Sequence, residues 1–511
     1  MAQELRYLTD EQMRQFIAQG FLILNTDFSP AFHEQLYGKL SEVYKNEGNP
    51  GNNLYPRIRE LQTVFDHPVI KGALTSVLGP GYMMHAHRHG HYNNSPKPGG
   101  WHKDSYWGFK RMRNHRPWWA MVMYFPQNTP TELGPTGVMP GTHYYASRTF
   151  ESDDLHEETA AGPAGTFALI HYDIWHRSTA NISGQERFML KFEFMRTQAP
   201  VEASWDHREP EWVTPANLPA CVESAEVIWR DTWNWLTGRD ALRDEAPRPF
   251  TDDEARAWLA ALASGEPQAR TEAADRLALS GLAEGRSAYG DVVTALAHAL
   301  EDAHEPAALN AAYGLARLGG AQATAALLGA LQQGSRPASR AAAYGLTAAG
   351  GAAVEGLLAA LDSGPEDVAA QAAFALGELR EAAAEAVPAL ARLLRTHASP
   401  RVRTEAVDAL GRIGTGNGSR ADACAEALAG ALQDADDQVR FMAGLALSML
   451  GAAGEPAVPA LESALDDENR YVRAHAAEAL YYIGTERAKE ALFDFLRTSR
   501  WCPSTTPAST F

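Results

Sequence analysis

Gly99-Gly100-Trp101-His102-Lys103-Asp104-Ser105-Tyr106-Trp107 is the stretch on which the reading of this chain turns. It sets an imidazole and a carboxylate two residues apart. On a strand, residues i and i+2 project to the same face, so both groups can reach one metal ion. One more histidine from a distant strand would complete a facial triad, which leaves coordination positions open on the metal. His-x-Asp by itself is also a common surface pair, so its meaning depends on what surrounds it.

The surroundings read as β structure. Between Tyr82 and Phe194, short apolar runs such as Trp119–Phe125 alternate with Gly/Pro/Asn clusters, the pattern of an all-β barrel or jelly roll. Ahead of it, Thr9-Asp10-Glu11-Gln12 is a capping box opening a helix that ends near Gly20. A buried strand, Phe21–Leu24, and an amphipathic helix from Pro30 to about Tyr44 follow. The second histidine is sought in His171-Tyr172-Asp173-Ile174-Trp175-His176-Arg177-Ser178-Thr179-Ala180-Asn181, and Arg187 stands eleven residues beyond His176. In the strand around Arg187, residues Phe188, Leu190, Phe192 and Phe194 share one apolar face and Arg187 lies on the other. A lone cation aimed into a barrel is costly without an anionic partner, and a planar guanidinium suits a ligand carboxylate.

Four ordered motifs carry a resemblance. Trp101-His102-Lys103-Asp104, Gly134-Pro135-Thr136 with Pro140-Gly141-Thr142-His143, His176-x-Ser178-x-x-Asn181, and Arg187 resemble the phytanoyl-CoA dioxygenase family, as does the opening around Leu8–Leu24; the likeness covers roughly residues 5–200. The resemblance implies a double-stranded β-helix (jelly-roll, cupin-like) that uses Fe(II), 2-oxoglutarate and O2. By position, His102, Asp104 and His176 would be the iron ligands, and Arg187 with Ser178 would hold the distal carboxylate of 2-oxoglutarate. His171 lies five residues too early for the Ser/Asn/Arg pattern. The related halogenases have a small residue where Asp104 stands, so the carboxylate implies hydroxylation or a kindred oxidation.

Met84-His85-Ala86-His87-Arg88-His89-Gly90-His91 alternates histidines, so on a strand all four face one way. Three readings stand: a second metal site, a polar wall of the substrate or cosubstrate cavity formed by His85, His87, His89 and His91, or a hydrogen-bonded structural face. Trp101, Tyr106 and Trp107 either shape the substrate pocket or pack beside it.

The grammar changes near residue 245. Of 511 residues, enough for two to four domains at about 150 each, the second half is dominated by Ala, Leu and Gly. Leu315, Leu346, Leu376, Leu410, Leu447 and Leu480 are spaced 31, 30, 34, 37 and 33 residues apart, with a degenerate copy around Leu277. Such periods indicate helical pairs stacked as an α-solenoid. Ala-Ala-Tyr-Gly-Leu at 311–315 and 342–346, and Val-Arg at 402–403, 439–440 and 472–473, recur within it. The pattern resembles HEAT repeats of the bilin-lyase-like type over about 255–497. The expected organisation is an oxygenase domain at 1–200, a connector at 201–250 with a Trp-rich helix at 227–236, a HEAT solenoid at 251–497 and a tail at 498–511. Tyr313, Tyr344 and Phe374 fall at equivalent repeat positions and are expected to be core.

The formal net charge is −18, which opposes general nucleic-acid binding and docking on an anionic membrane. Cys221, Cys424 and Cys502 form no CxxC pair, and the start lacks a signal-peptide pattern. No apolar run reaches the ~18 residues of a membrane span, so a cytoplasmic protein is expected. The function expected is an Fe(II)/2-oxoglutarate hydroxylase of a small molecule. In it the solenoid recruits a substrate or partner, shapes the pocket or mediates self-association. The alternatives are a repeat scaffold with a catalytically silent barrel, or a hydroxylase of a protein-borne substrate. A repeat-borne His-Glu metal centre of the deoxyhypusine hydroxylase kind is set aside because His304-Glu305 is the only such pair in the repeats.

Overall fold

The computed structural model describes residues 4–106, 111–151, 155–239, 250–282, 288–415 and 420–499. Trp107, Cys502 and residues 500–511 of the expected tail lie outside them.

The first helix, α1 (Asp10–Gln19), starts with the capping box read from the sequence: the Thr9 hydroxyl accepts from Gln12 N and the Gln12 side chain accepts from Thr9 N. It stops at Gly20, whose φ of 83° favours glycine. A Cβ there would also lie 2.5 Å from His143 Nδ1. Strand β1 (Phe21–Asn25) follows, then α2 (Pro30–Glu47), α3 (Leu54–Arg57), α4 (Glu60–Phe65) and α5 (Pro68–Leu78).

The remaining strands are β2 (Met83–Asn93), β3 (Trp119–Tyr124), β4 (Thr136–Val138), β5 (Glu158–Thr159), β6 (Thr166–His171), β7 (His176–Ser178) and β8 (Arg187–Met195). They form two antiparallel sheets, ordered β1-β6-β3-β8-β2 and β5-β4-β7. This is the jelly-roll arrangement the alternating text implied. One face of β8 packs outward under the helices: Phe192 meets Phe65 of α4 at 4.1 Å and Phe188 meets Tyr44 of α2 at 5.2 Å between ring centroids. Burial of each phenylalanine stabilises the sheet by roughly 1.5–3 kcal/mol. The opposite face of β8 carries Arg187, Met189, Lys191 and Glu193 into the space between the sheets. Strand β2 breaks register between Met84 and Arg88, a bulge within the histidine run.

Helix α6 (Glu226–Leu236) packs on α1 and on two repeat helices, α8 (Pro267–Leu279) and α10 (Glu305–Leu318). Its first amides, on Glu226 and Val227, donate to the Asp275 carboxylate of α8 at 3.1 and 2.8 Å, where the helix dipole favours an anion. The Trp-rich segment is thus a buried connector. The other repeat helices are α7 (Asp252–Leu262), α9 (Tyr289–Ala299), α11 (Gly320–Gln333), α12 (Arg336–Ala348), α13 (Val354–Ser363), α14 (Glu366–Leu379), α15 (Val387–Thr396), α16 (Pro400–Gly414), α17 (Ala421–Ala431), α18 (Asp437–Leu450), α19 (Val458–Ala464), α20 (Arg470–Ile483) and α21 (Glu486–Thr498).

The chain divides into two compact units, Met1–Ala349 and Gly350–Phe511. The division falls inside the repeats, so α6 to α12 belong to the same unit as the sheets. All six periodic leucines are fully buried. The glycines of the repeat motif serve close helix approach: a Cβ on Gly345 would lie 2.6 Å from the Ala312 carbonyl oxygen, and one on Gly377 2.7 Å from Ala409 Cα. The arginine of Val-Arg closes the next repeat's turn, Arg403 onto Asp434 and Arg440 onto Asp467, each with two nitrogens. Contrary to the sequence expectation, one stretch, Asp437–Ala464, is long and apolar enough by composition to cross a membrane. Its most apolar 18-residue window is 72% buried within the repeats, and the stretch is interrupted at Gly451, where φ is 55°. Its apolarity is that of a repeat core.

Candidate metal centre

His102 and His176 are brought together by the backbone. Each donates its amide to the other's carbonyl oxygen at 3.0 Å, the exchange of a hydrogen-bonded antiparallel pair. The pair puts both imidazoles on one side, with ring centroids 4.4 Å apart. Gly99 N donates to Ser178 O, which extends the same pairing. On the other edge of β7, Val138 and Thr136 pair with His176 and Ser178, so the Gly-Pro-Thr motif serves as the partner strand of His-x-Ser. His102 makes only this isolated bridge, and Lys103–Ser105 leave the ladder. Asp104 therefore reaches the site from a loop, not from the regular strand expected.

The ligand atoms of His102, Asp104 and His176 all lie within 4.8 Å of one another. Asp104 Oδ1 is 4.0 Å from His102 Nε2 and Oδ2 is 3.8 Å from His176 Nε2. The other ring nitrogens are committed to backbone carbonyls two residues earlier, His102 Nδ1 to Gly100 at 2.9 Å and His176 Nδ1 to Ile174 at 3.1 Å. If each Nδ1 donates, both Nε2 lone pairs are presented for ligation, an arrangement that orients imidazole ligands in metal sites. Burial lowers the His176 imidazole to about 4 despite Asp104 beside it, so it is neutral and able to ligate at pH 7. Among the described residues this is the one cluster of His, Cys, Asp and Glu with metal-ligand geometry.

The sequence reading missed Lys191. Its ammonium, projecting inward from β8, hydrogen-bonds Asp104 Oδ2. Burial opposes ionisation of Asp104, but Lys191 and His176 outweigh it and hold the carboxyl well below the usual range. The available clue was that Arg187, Lys191 and Glu193 all occupy the polar face of an otherwise apolar strand.

Arg187 is 1% exposed. Its Nε donates to the carbonyl oxygen of Gly134 at 3.0 Å, while Nη1 is buried with no hydrogen-bond partner among the described residues. Burial lowers it to about 10, so it remains cationic at neutral pH. Gly134 sits at φ 72°, and a Cβ there would press to 2.8 Å on the Thr179 carbonyl oxygen. Ser178, two residues from His176, shares its face of β7.

The histidine run lines the interior against β8. His85 is wholly buried with Nδ1 3.4 Å from Glu193, and His87 Nε2 is 3.9 Å from it. The rings of His87, His89 and His91 follow one another at 4.5 and 4.7 Å. His91 Nε2, like Arg187 Nη1, is buried without a hydrogen-bond partner among the described residues. Burial raises Glu193 to about 7 and lowers His85 and His91 well below the ordinary imidazole value.

His171 is placed elsewhere. Its Nδ1 accepts from Asp173 N at 3.2 Å and its ring lies 5.0 Å from that of His143. Tyr106 is fully buried, its hydroxyl donating to Asp173 at 2.9 Å. Trp101 stacks edge-on with Phe150 and under Arg177. Trp107 is outside the described residues. His304 and Glu305 do not form a metal pair: His304 contacts Glu223 at 3.0 Å and Glu305 receives the amides of Ala146 and Ser147.

The two sheets carry a buried His176 and, beside it, an exposed His102 and a half-buried Asp104, a candidate metal centre on a jelly roll followed by helical repeats. The phytanoyl-CoA dioxygenase family model matches residues 24–189, and the HEAT-repeat model matches 354–448 and 425–501. The chain thus carries a phytanoyl-CoA dioxygenase-type domain followed by HEAT repeats. No curated protein matches it. Among solved structures, the α-ketoglutarate-dependent carbocyclase SnoK from nogalamycin biosynthesis is 18% identical (37% of this chain, 85% of that one, TM-score 0.32). HygX from Streptomyces hygroscopicus with nickel and 2-oxoglutarate bound is 13% identical (39% and 90%, TM-score 0.31). The nickel complex of the non-haem monooxygenase ThoJ is 17% identical (43% and 94%, TM-score 0.30).

Proposed function

We propose that this chain is an Fe(II)- and 2-oxoglutarate-dependent hydroxylase of a small-molecule substrate. The observation that carries the reading is the convergence of His102, Asp104 and His176 beside a buried arginine with an unpartnered donor. Two imidazoles and one carboxylate suit a first-row divalent metal, and leave an open side for other ligands. The buried Arg187 Nη1 and His91 Nε2 suit a polar, anionic cosubstrate entering between the sheets.

Bound iron with 2-oxoglutarate supplies the activation of O2, with succinate and CO2 released. The chain does the rest. His102, Asp104 and His176 hold the metal, and Arg187, with Ser178, orients the distal carboxylate. Lys191 keeps Asp104 ionised. His85, His87, His89 and His91 form the polar wall facing the substrate. A carboxylate at 104 fills the place a halide would need, so the product is hydroxylated and not halogenated. The organisation proposed is oxygenase 1–200, connector 201–250, HEAT solenoid 251–497 and tail 498–511, in a cytoplasmic protein. The repeats recruit a partner or substrate or mediate self-association. The test is anaerobic addition of Fe(II) and 2-oxoglutarate, read by the weak visible charge-transfer band, then succinate formation in air. Absence of both refutes the reading.

A further inference from the structure

Two contacts tie the repeat helices to residues bordering the metal ligands. On α12, the Tyr344 hydroxyl donates to the Arg113 carbonyl at 2.7 Å. The Arg113 guanidinium donates in turn to the Asp104 carbonyl at 3.0 Å and to Asp173 Oδ1 at 2.6 Å. Asp173 is wholly buried and also accepts from Tyr106 and from Asn114 N, fixing the turn that leads to His176. On α10, the Glu305 carboxylate receives Ala146 N at 3.0 Å and Ser147 N at 2.7 Å. That pins the end of the 3-10 turn Thr142–Tyr144. Thr142 O accepts from Lys103 Nζ at 3.0 Å, and Thr142 Oγ1 accepts from Trp175 N at 3.2 Å. Lys103 and Trp175 are the chain neighbours of all three ligands.

Between these arms sits His115, sandwiched in the repeats. Its ring stacks on Tyr344 at 3.6 Å and 17°. Nδ1 contacts the Tyr313 hydroxyl and Nε2 the Tyr144 carbonyl, both at 3.0 Å. A carbonyl can only accept, so Nε2 carries the proton and Nδ1 accepts from Tyr313. Burial keeps the imidazole neutral, lowering it to about 3. Tyr313 and Tyr344 are buried as expected of repeat core, and their hydroxyls also reach His115 and Arg113 of the oxygenase domain.

We propose that Tyr344 and Glu305 are positioning residues for the metal centre, so that the first HEAT repeats complete the oxygenase site. Asp104 sits in a loop outside the sheet ladders, where Arg113 donates to its carbonyl and Lys191 to its carboxylate. Arg113 is held at its own carbonyl by α12. The inference rests on the metal-site reading above, and its test separates the two.

The probe is Co(II) alone, added to the full chain, read as a dissociation constant and as the visible d–d spectrum, which reports ligand geometry. Arg113→Met is expected to weaken binding 10–100-fold, the scale for groups that orient metal ligands. Tyr344→Phe keeps the stack on His115 and loses only the hydroxyl, and is expected to weaken binding about 3–10-fold with an altered spectrum. Glu305→Gln should act likewise. Adding Tyr344→Phe to Arg113→Met should cost little more, because both act through one path. Tyr289→Phe, which removes a similar hydroxyl-to-carbonyl bond at Gly319, should lower the melting temperature and leave Co(II) binding unchanged. Failure of the wild-type chain to bind Co(II) sinks the metal-site reading and this inference with it. Wild-type binding with Tyr344→Phe and Glu305→Gln unchanged in affinity and spectrum overturns the inference alone.

Discussion

Arg187→Met gives the sharpest test, because it should cost much in ligand affinity and little in the stability of the free protein. Nε is committed to Gly134, so the edge bearing Nη1 is the one offered to a ligand. Two charge-assisted hydrogen bonds from that edge to a carboxylate contribute roughly 1.5–3 kcal/mol each. Truncating one partner of a buried charge pair costs about 2–5 kcal/mol. The smaller range sets the expectation: 2-oxoglutarate should bind roughly 30- to 3,000-fold more weakly at 1.4 kcal/mol per decade. The assay is anaerobic titration of the Fe(II)-loaded protein with 2-oxoglutarate, followed by the charge-transfer band. The ligand-free variant should behave differently. It loses one bond to Gly134, worth about 1 kcal/mol, and sheds a buried cation with an unpartnered donor, so its melting temperature should hardly fall. Affinity within threefold of wild type, or a melting temperature reduced by 10 °C or more, would refute the role assigned to Arg187.

Other outcomes follow from the same geometry. Asp104→Ala should lower metal affinity at least 100-fold while circular dichroism stays native, because Asp104 lies in a loop; retained iron would remove it from the ligand set. Burial opposes ionisation of Asp10, but hydrogen bonds from Trp205, His207 and the amides of Arg208 and Glu209 lower it to about 2. Its contribution, roughly 2 kcal/mol, is present above the unfolded value near 3.8 and is lost as pH falls toward 2. Asp10→Asn should therefore destabilise at pH 7 in urea melts and match wild type near pH 2. Glu193 is displaced the other way: burial raises it to about 7 from 4.5, so the folded state keeps a proton that the unfolded chain releases. Stability should fall by roughly 2–3 kcal/mol as pH rises between those values, and Glu193→Gln should flatten that slope. A variant that melts below wild type at pH 8 would contradict it.

What the sequence determined by itself is whatever depends on neighbours along the chain. The Thr9–Gln12 capping box, the left-handed stop at Gly20 and the alternation around Arg187 are local, and the structure shows each. The leucine spacing of the repeats is equally legible, since a helix pair that cannot bury its own face must repeat it. The order of motifs pointed to His176 over His171, and the structure sets His176 beside His102 and Asp104. The site's support is different in kind. Lys191 reaches Asp104 across 87 residues and Tyr344 reaches Arg113 across 231. Nothing in either residue's own segment marks those partners. The periodicity that makes Tyr313 and Tyr344 look like repeat core is the same whether they face another repeat or the sheets. Only the packing of α10 and α12 against the segment from Arg113 to Ser147 decides that they meet His115 and Arg113, because such contacts are set by which buried polar groups must find partners within that packed unit.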